Sequence, residues 1–216
     1  MSKLTIIIAD DHPLFRGALR QAVTGLDGAH SIIEAGDFEA ARVAAEDQRD
    51  ADLMLLDLAM PGVSGFSGLM ALRAEFSSLP IVIVSATDDS TTVRRSIELG
   101  ASGFISKSAG IDDIRMGIHA VLQGDVWTPE AHHHAKEHDP DVSDLINRLR
   151  TLTPQQSRVL GMLAEGLLNK QIAYALSVSE ATIKAHVSAI LLKLKVDSRT
   201  QAVIQFSKIN TSSMVA

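Results

Sequence analysis

The stretch LMLLDLAMPGVSG (residues 53–65) decides how the rest of the chain is read. Four apolar residues, Leu53 to Leu56, run straight into Asp57, and the chain then meets Pro61-Gly62. A short continuous apolar run closed by turn residues is the pattern of a strand covered on both faces, as strands of a parallel sheet are. A carboxylate at the carboxyl end of such a strand lies where open α/β sheets bind their ligands.

Working outward, the same pattern recurs. LTIIIA (4–9), HSIIEA (30–35), DLMLLD (52–57), PIVIVS (80–85) and ASGFIS (101–106) all read as strands. Between them apolar residues take helical spacing, as at Phe15, Leu19, Ala22 and Val23, at Val93 and Ile97, and at Ile114, Ile118, Val121 and Leu122. Five βα units in succession predict a doubly wound α/β domain with a five-stranded parallel sheet over residues 1–124.

After residue 124 the composition changes. Residues 125–147, DVWTPEAHHHAKEHDPDVSDLIN, are rich in Pro, His and acids and read as a linker running into a helix. Its histidines His132, His133, His134 and His138 suit either an exposed polar linker or a transition-metal site. Residues 148–216 are all helical in pattern. Thr153 is placed to cap a helix that has Pro154 in its first turn and stops at Gly166. Two further helices, NKQIAYAL and SEATIKAHVSAILLKL, flank a short break at Ser177-Val178, and a last one spans about 198–208. Val159, Leu160, Leu163, Ile172, Ala173, Leu176, Val178, Ile183, Val187, Ile190, Leu191 and Leu194 fit one small core, and the short break suggests a helix-turn-helix.

Charge divides the chain at the same place. The net charge is -6, but residues 148–216 carry nine cationic and three anionic side chains, leaving 11 against 23 for residues 1–147. A basic module joined to an acidic one suggests a polyanion-binding segment attached to something else. No cysteine is present, so disulfides, thiolate metal sites and cysteine nucleophiles are excluded, which fits a reducing compartment. The N-terminal apolar run breaks on two aspartates and is too short for a signal peptide or a membrane span, so a cytoplasmic protein is expected.

The predicted strand ends carry Asp10 and Asp11, Asp57, Ser85 and, just past the fifth strand, Lys107, all on one edge of the sheet. Clustered carboxylates repel one another and call for a cation. Oxygen donors with neither Cys nor metal-spaced His favour a hard ion, and Mg²⁺ is the usual one where phosphate is handled. The Ser85 hydroxyl and Lys107 ammonium are donors for an anionic group, and Asp57 beside them is equipped to attack phosphorus and form an acyl phosphate.

This set, Asp10-Asp11, Asp57 within LLDLAMPGVSG, Ser85-Ala86 and Lys107, resembles the receiver domain of two-component response regulators over about residues 3–124. The resemblance implies a flavodoxin-like fold and Asp57 as phosphoacceptor. It implies Asp10, Asp11, Asp57 and the backbone carbonyl of Ala59 as Mg²⁺ ligands, Ser85 and Lys107 as phosphoryl contacts, and Ser85 with Phe104 as a switch. Ser108 stands where many receivers have proline.

Residues 150–206 resemble the LuxR/NarL (FixJ) type of helix-turn-helix DNA-binding domain. Lys184, Ala185 and Ser188 are then expected to face the major groove, with Asn169, Lys170, Thr182 and His186 as backbone contacts or local supports. Gln156, Tyr174, Ala175, Ser188 and Leu192 depart from residues common in the family, mostly toward fewer charges. Leu192 reads either as a dimer contact or as core.

Together these readings predict a regulator whose Asp57 is phosphorylated by a sensor histidine kinase and whose C-terminal domain binds double-stranded promoter DNA, as a homodimer and away from any membrane. The alternatives are a DNA-binding regulator whose first domain serves protein interaction only, and a phosphatase. The phosphatase reading lacks the general acid two residues after the nucleophile, where Ala59 stands, so no enzyme activity beyond slow autodephosphorylation is expected.

Overall fold

The computed structural model describes residues 4–26, 30–63, 65–129 and 140–210. Five strands alternate with five helices in the first domain: β1 (Leu4–Ala9), α1 (Pro13–Thr24), β2 (His30–Ala35), α2 (Phe38–Asp47), β3 (Leu53–Asp57), α3 (Ser67–Glu75), β4 (Ile81–Ser85), α4 (Ser90–Glu98), β5 (Gly103–Ser106) and α5 (Ile111–Leu122). All four strand pairs are parallel, and the order is β2-β1-β3-β4-β5. The sequence order reverses between β1 and β3, so the switch point lies between those two strands.

Successive residues of a strand point to opposite faces, and the apolar run at 53–56 supplies both. Leu53 and Leu55 join Ile6, Ile8, Val82, Val84 and Ile105 beneath α1 and α5, where Leu19, Val23, Ile114 and Ile118 cover them. Met54 and Leu56 join Ile7, Ile83 and Phe104 on the side of α2, α3 and α4. Beyond Asp57 the chain turns at Gly62, whose φ of +90° lies in the left-handed region that glycine tolerates best. Side chains cap the helices that follow: the Asp37 carboxylate accepts from the Ala40 N–H at the start of α2, and Asp89 accepts from Thr91 and Thr92 at the start of α4.

The second domain comprises α6 (Pro140–Leu149), α7 (Pro154–Ala164), α8 (Asn169–Ala175), α9 (Glu180–Leu194) and α10 (Arg199–Asn210). Helix α6 begins inside the segment read as linker, and its Leu145, Ile146 and Leu149 are buried in the same core as α7 and α9. Thr153 and Gln156 close a reciprocal cap on α7. The four histidines His132, His133, His134 and His138 lie outside the described residues.

The two domains meet along α3 and α7. Ser67 and Gly161 are both buried there, Arg158 Nη2 lies 2.9 Å from Glu39 Oε2 of α2, and Arg95 of α4 donates to the Ile209 carbonyl of α10 at 2.6 Å. The apolar cluster on the α2–α4 side of the sheet is continuous with the core of the second domain.

Candidate functional site

The carboxyl edge of the sheet brings together every residue expected there. Asp10 follows β1, Asp57 ends β3, Ser85 ends β4 and Lys107 follows β5. Asp10 is fully buried and Asp57 is 2 % exposed, because both sit at the mouth of interior strands. Lys107 Nζ bridges them, 2.7 Å from Asp10 Oδ2 and 2.8 Å from Asp57 Oδ2. Burial disfavours the ammonium charge, but hydrogen bonds and charge from the two aspartates outweigh it and hold the Lys107 pKa above the ordinary lysine value. Lys107 is itself anchored through its main chain, its N–H donating to the Ser85 carbonyl at 2.7 Å.

The rest of the site presents donors and lone pairs toward Asp57. The Ala59 N–H donates to Asp57 Oδ1 at 3.1 Å, and the Ser85 Oγ accepts from the Thr87 N–H at 3.1 Å. A cavity of about 820 Å³ opens over the carboxylate, with Asp11, Ala59, Ser85, Thr87 and Lys107 in its wall. Phe15 adds an apolar side, its ring 5.1 Å from Lys107 Nζ. Phe104 is fully buried in the middle of β5, facing the α3 and α4 side of the sheet.

One neighbour escaped the sequence reading, which found no histidine at metal spacing. His12 Nδ1 lies 2.6 Å from Asp11 Oδ1, 3.5 Å from Asp10 Oδ1 and 4.0 Å from Asp57 Oδ2, so an imidazole joins the three carboxylates. The signal was its place directly after Asp10-Asp11, which puts it on the same rim. Asp11 Oδ1 and Asp10 Oδ2 are buried and lack an aligned hydrogen-bond donor, although His12 and Lys107 stand at ion-pair distance. Converging anionic oxygens with unused lone pairs fit a divalent cation.

In the second domain α8 and α9 meet at 111°, within the range of a helix-turn-helix. Ser179 caps α9, its Oγ accepting from the Thr182 N–H, and its hydroxyl lies 2.8 Å from that of Thr182, which is thereby a support of the helix start. Lys184, Ala185 and Ser188 share one exposed face of α9. Lys184 Nζ lies 3.3 Å from Glu180, and the Ser188 hydroxyl donates back to the Lys184 carbonyl. His186 is half-buried and Lys170 exposed, and the half-buried Asn169 turns its side-chain oxygen toward Arg199 at 3.5 Å. Leu192 is 80 % exposed, so its reading as a core residue is set aside.

Comparison with known proteins decides the family. The model of the response regulator receiver domain matches residues 6–119, and that of bacterial regulatory proteins of the luxR family matches residues 150–206. The chain is a response regulator of the LuxR type. It is 40 % identical over 214 residues to the glycerol metabolism activator of Pseudomonas putida, covering 95 % of this chain and 96 % of that one. It is 36 % identical to the nitrate/nitrite response regulator protein NarP of Escherichia coli, covering 93 % of each. Among solved structures the Salmonella typhimurium RcsB response regulator superposes with a TM-score of 0.55 at 25 % identity, over 96 % of this chain and all of that one.

The receiver and DNA-binding domain of this response regulator touch along α3 and α7, and Lys184, Ala185 and Ser188 of α9 stay exposed. The two domains also engage through α4 and α10. Among the described residues no single helix is long and apolar enough to cross a membrane.

Proposed function

We propose that this response regulator takes a phosphoryl group on Asp57 from a sensor histidine kinase and, in that state, binds promoter DNA as a homodimer in the cytoplasm. The observation that carries the reading is the pairing of Asp57 with Lys107 at 2.8 Å at the foot of an open cavity, with the Ser85 hydroxyl on the adjacent strand. An Asp57 carboxylate oxygen attacks the phosphorus of a phosphohistidine; the P–O bond forms as the P–N bond breaks, and the imidazole leaves with the electron pair. Lys107 and Ser85 donate to the phosphoryl oxygens where charge gathers.

Asp10, Asp11, Asp57 and the Ala59 carbonyl would hold Mg²⁺, which when bound neutralises charge on the phosphoryl oxygens. The anionic, oxygen-rich edge supports that ion. With Ala59 in place of an acid, no side chain two residues on takes the proton of an attacking water, so hydrolysis of the acyl phosphate is slow and no enzyme activity beyond autodephosphorylation is expected.

On the DNA side, Lys184, Ala185 and Ser188 read the major groove, and two half-sites supply the affinity that one sparsely charged module lacks. Acetyl phosphate with Mg²⁺ tests the reading. Phosphate-affinity electrophoresis should show a retarded band that Asp57→Asn abolishes, together with tighter DNA binding. Unchanged DNA affinity in the phosphorylated protein would instead favour a first domain used for protein interaction alone.

A further inference from the structure

The chain has one tryptophan, and its seat connects the phosphorylation edge to the segment that leaves the first domain. After α5 the chain turns at Gly124, with φ at +93°, and returns along the free edge of β5. Gly103 and Trp127 form a parallel bridge there; the Phe104 N–H donates to the Trp127 carbonyl at 2.8 Å, and the Trp127 N–H donates to the Ser102 carbonyl at 3.3 Å. The indole lies against Gly117, and the Trp127 main chain lies against Gly103. A Cβ on Gly117 of α5 would meet its Cδ1 and Nε1 at 2.8 Å, and one on Gly103 would meet the Trp127 carbonyl oxygen at 3.1 Å.

The other end of the same strand carries the chemistry. Between Trp127 and the acidic site stands only β5, four residues long, followed at once by Lys107. A phosphoryl group on Asp57 offers Lys107 new oxygens one bond beyond the present carboxylate, so the ammonium that now bridges Asp10 and Asp57 must move to reach them. The main chain of Lys107 is tied into the strand pair by its bond to Ser85. Lys107 and Trp127 are thus joined through one short strand, β5, to whose edge the Trp127 main chain is bonded. Trp127 spans the boundary between β5 and α5, with its ring on Gly117 of α5 and its main-chain carbonyl bonded to β5.

We propose that Trp127 is a positioning residue that latches residues 125–129 onto the edge of β5 while Asp57 is bare, and that phosphorylation of Asp57 releases the latch. This rests on Asp57 being the phosphoacceptor. Release frees the start of the connection to α6, the first helix packed into the DNA-binding core.

Because Trp127 is the sole tryptophan, intrinsic fluorescence of the full chain reports its seat directly. Treatment with acetyl phosphate and Mg²⁺ should red-shift the emission and raise quenching by acrylamide several-fold, and Asp57→Asn should show neither change. Phosphorylation is followed on the same samples by phosphate-affinity electrophoresis. Failure to phosphorylate overturns the phosphoacceptor reading, whereas a phosphorylated protein with unaltered emission overturns the latch. Gly117→Ala, which keeps the tryptophan and suits a helix, should start with the red-shifted emission before any phosphorylation. Trp127→Ala should still accept phosphate but lose most of the difference in DNA affinity between the two states, and Trp127→Phe should restore it. An unaltered affinity ratio in Trp127→Ala would show a packing role only and sink the proposal.

Discussion

Gly161 of α7 faces Ser67 of α3 with no room for a side chain: a Cβ at Gly161 would lie 3.0 Å from both the Cβ and the Oγ of Ser67. This contact lies in the seam where α3 and α7 join the two domains. Gly161→Val is expected to cost about 1–3 kcal/mol by overpacking, and the chain can relieve that strain by parting the domains. Small-angle scattering of the full chain should show a larger radius of gyration, and amides of α3 should lose protection in hydrogen exchange. Arg158→Ala, which breaks only the surface pair with Glu39, should change stability by about 0–1 kcal/mol and leave the scattering curve alone.

Lys107 joins two carboxylates that are otherwise buried, so its removal strands them. Lys107→Met is expected to lower stability by about 3–5 kcal/mol, the cost of leaving buried charge unpaired. A divalent cation would then replace the lost charge, and Mg²⁺ should raise the Tm of the variant by more than it raises that of the parent. Equal shifts in thermal melts would show that the acidic edge does not hold the ion.

Glu165 closes α7 and lines a crevice between the domains with Ser67 and Arg158. Burial alone raises its pKa from the ordinary value near 4.5. A carboxyl with a raised folded-state pKa binds its proton more tightly when folded, so stability falls as pH rises through that range and stays lower above it. Glu165→Gln removes this cost. Since the group remains partly in water, the gain at pH 7 is small, about one degree in Tm, and it should vanish at pH 4.

On the exposed face of α9 Lys184 is paired with Glu180 at 3.3 Å, which dilutes an already sparse positive charge. Lys184→Ala should weaken DNA binding and reduce the salt slope by about one unit, as loss of one phosphate or groove cation does. Glu180→Gln should do the reverse and tighten binding at low salt. The parent protein should itself show a shallow salt slope, and a steep slope in fluorescence-anisotropy titrations would contradict this.

Much of the fold was legible because its signals are local. The run 53–56 supplies apolar residues to both faces of the sheet, so it reads as an interior strand without knowledge of its neighbours. Thr153 announces a helix start through a bond reaching only three residues along the chain. The boundary at α6 was not legible: its sequence is acidic and begins with proline, and only the burial of Leu145, Ile146 and Leu149 against α9 assigns it to the second domain.

The sequence by itself determined that Asp10, Asp57, Ser85 and Lys107 share one edge, because strand ends of a parallel sheet converge and each residue sits at one. It likewise determined that Lys184, Ala185 and Ser188 share one exposed face of α9, by spacing alone. Tertiary structure decided which surfaces oppose one another. That His12 turns its imidazole to Asp11, that Gly161 admits Ser67, that Arg95 reaches the carbonyl of Ile209 and that Trp127 lies on Gly117 are all consequences of how finished elements pack. Packing depends on shape at sub-ångström tolerance between residues far apart in the chain, and no local pattern encodes it.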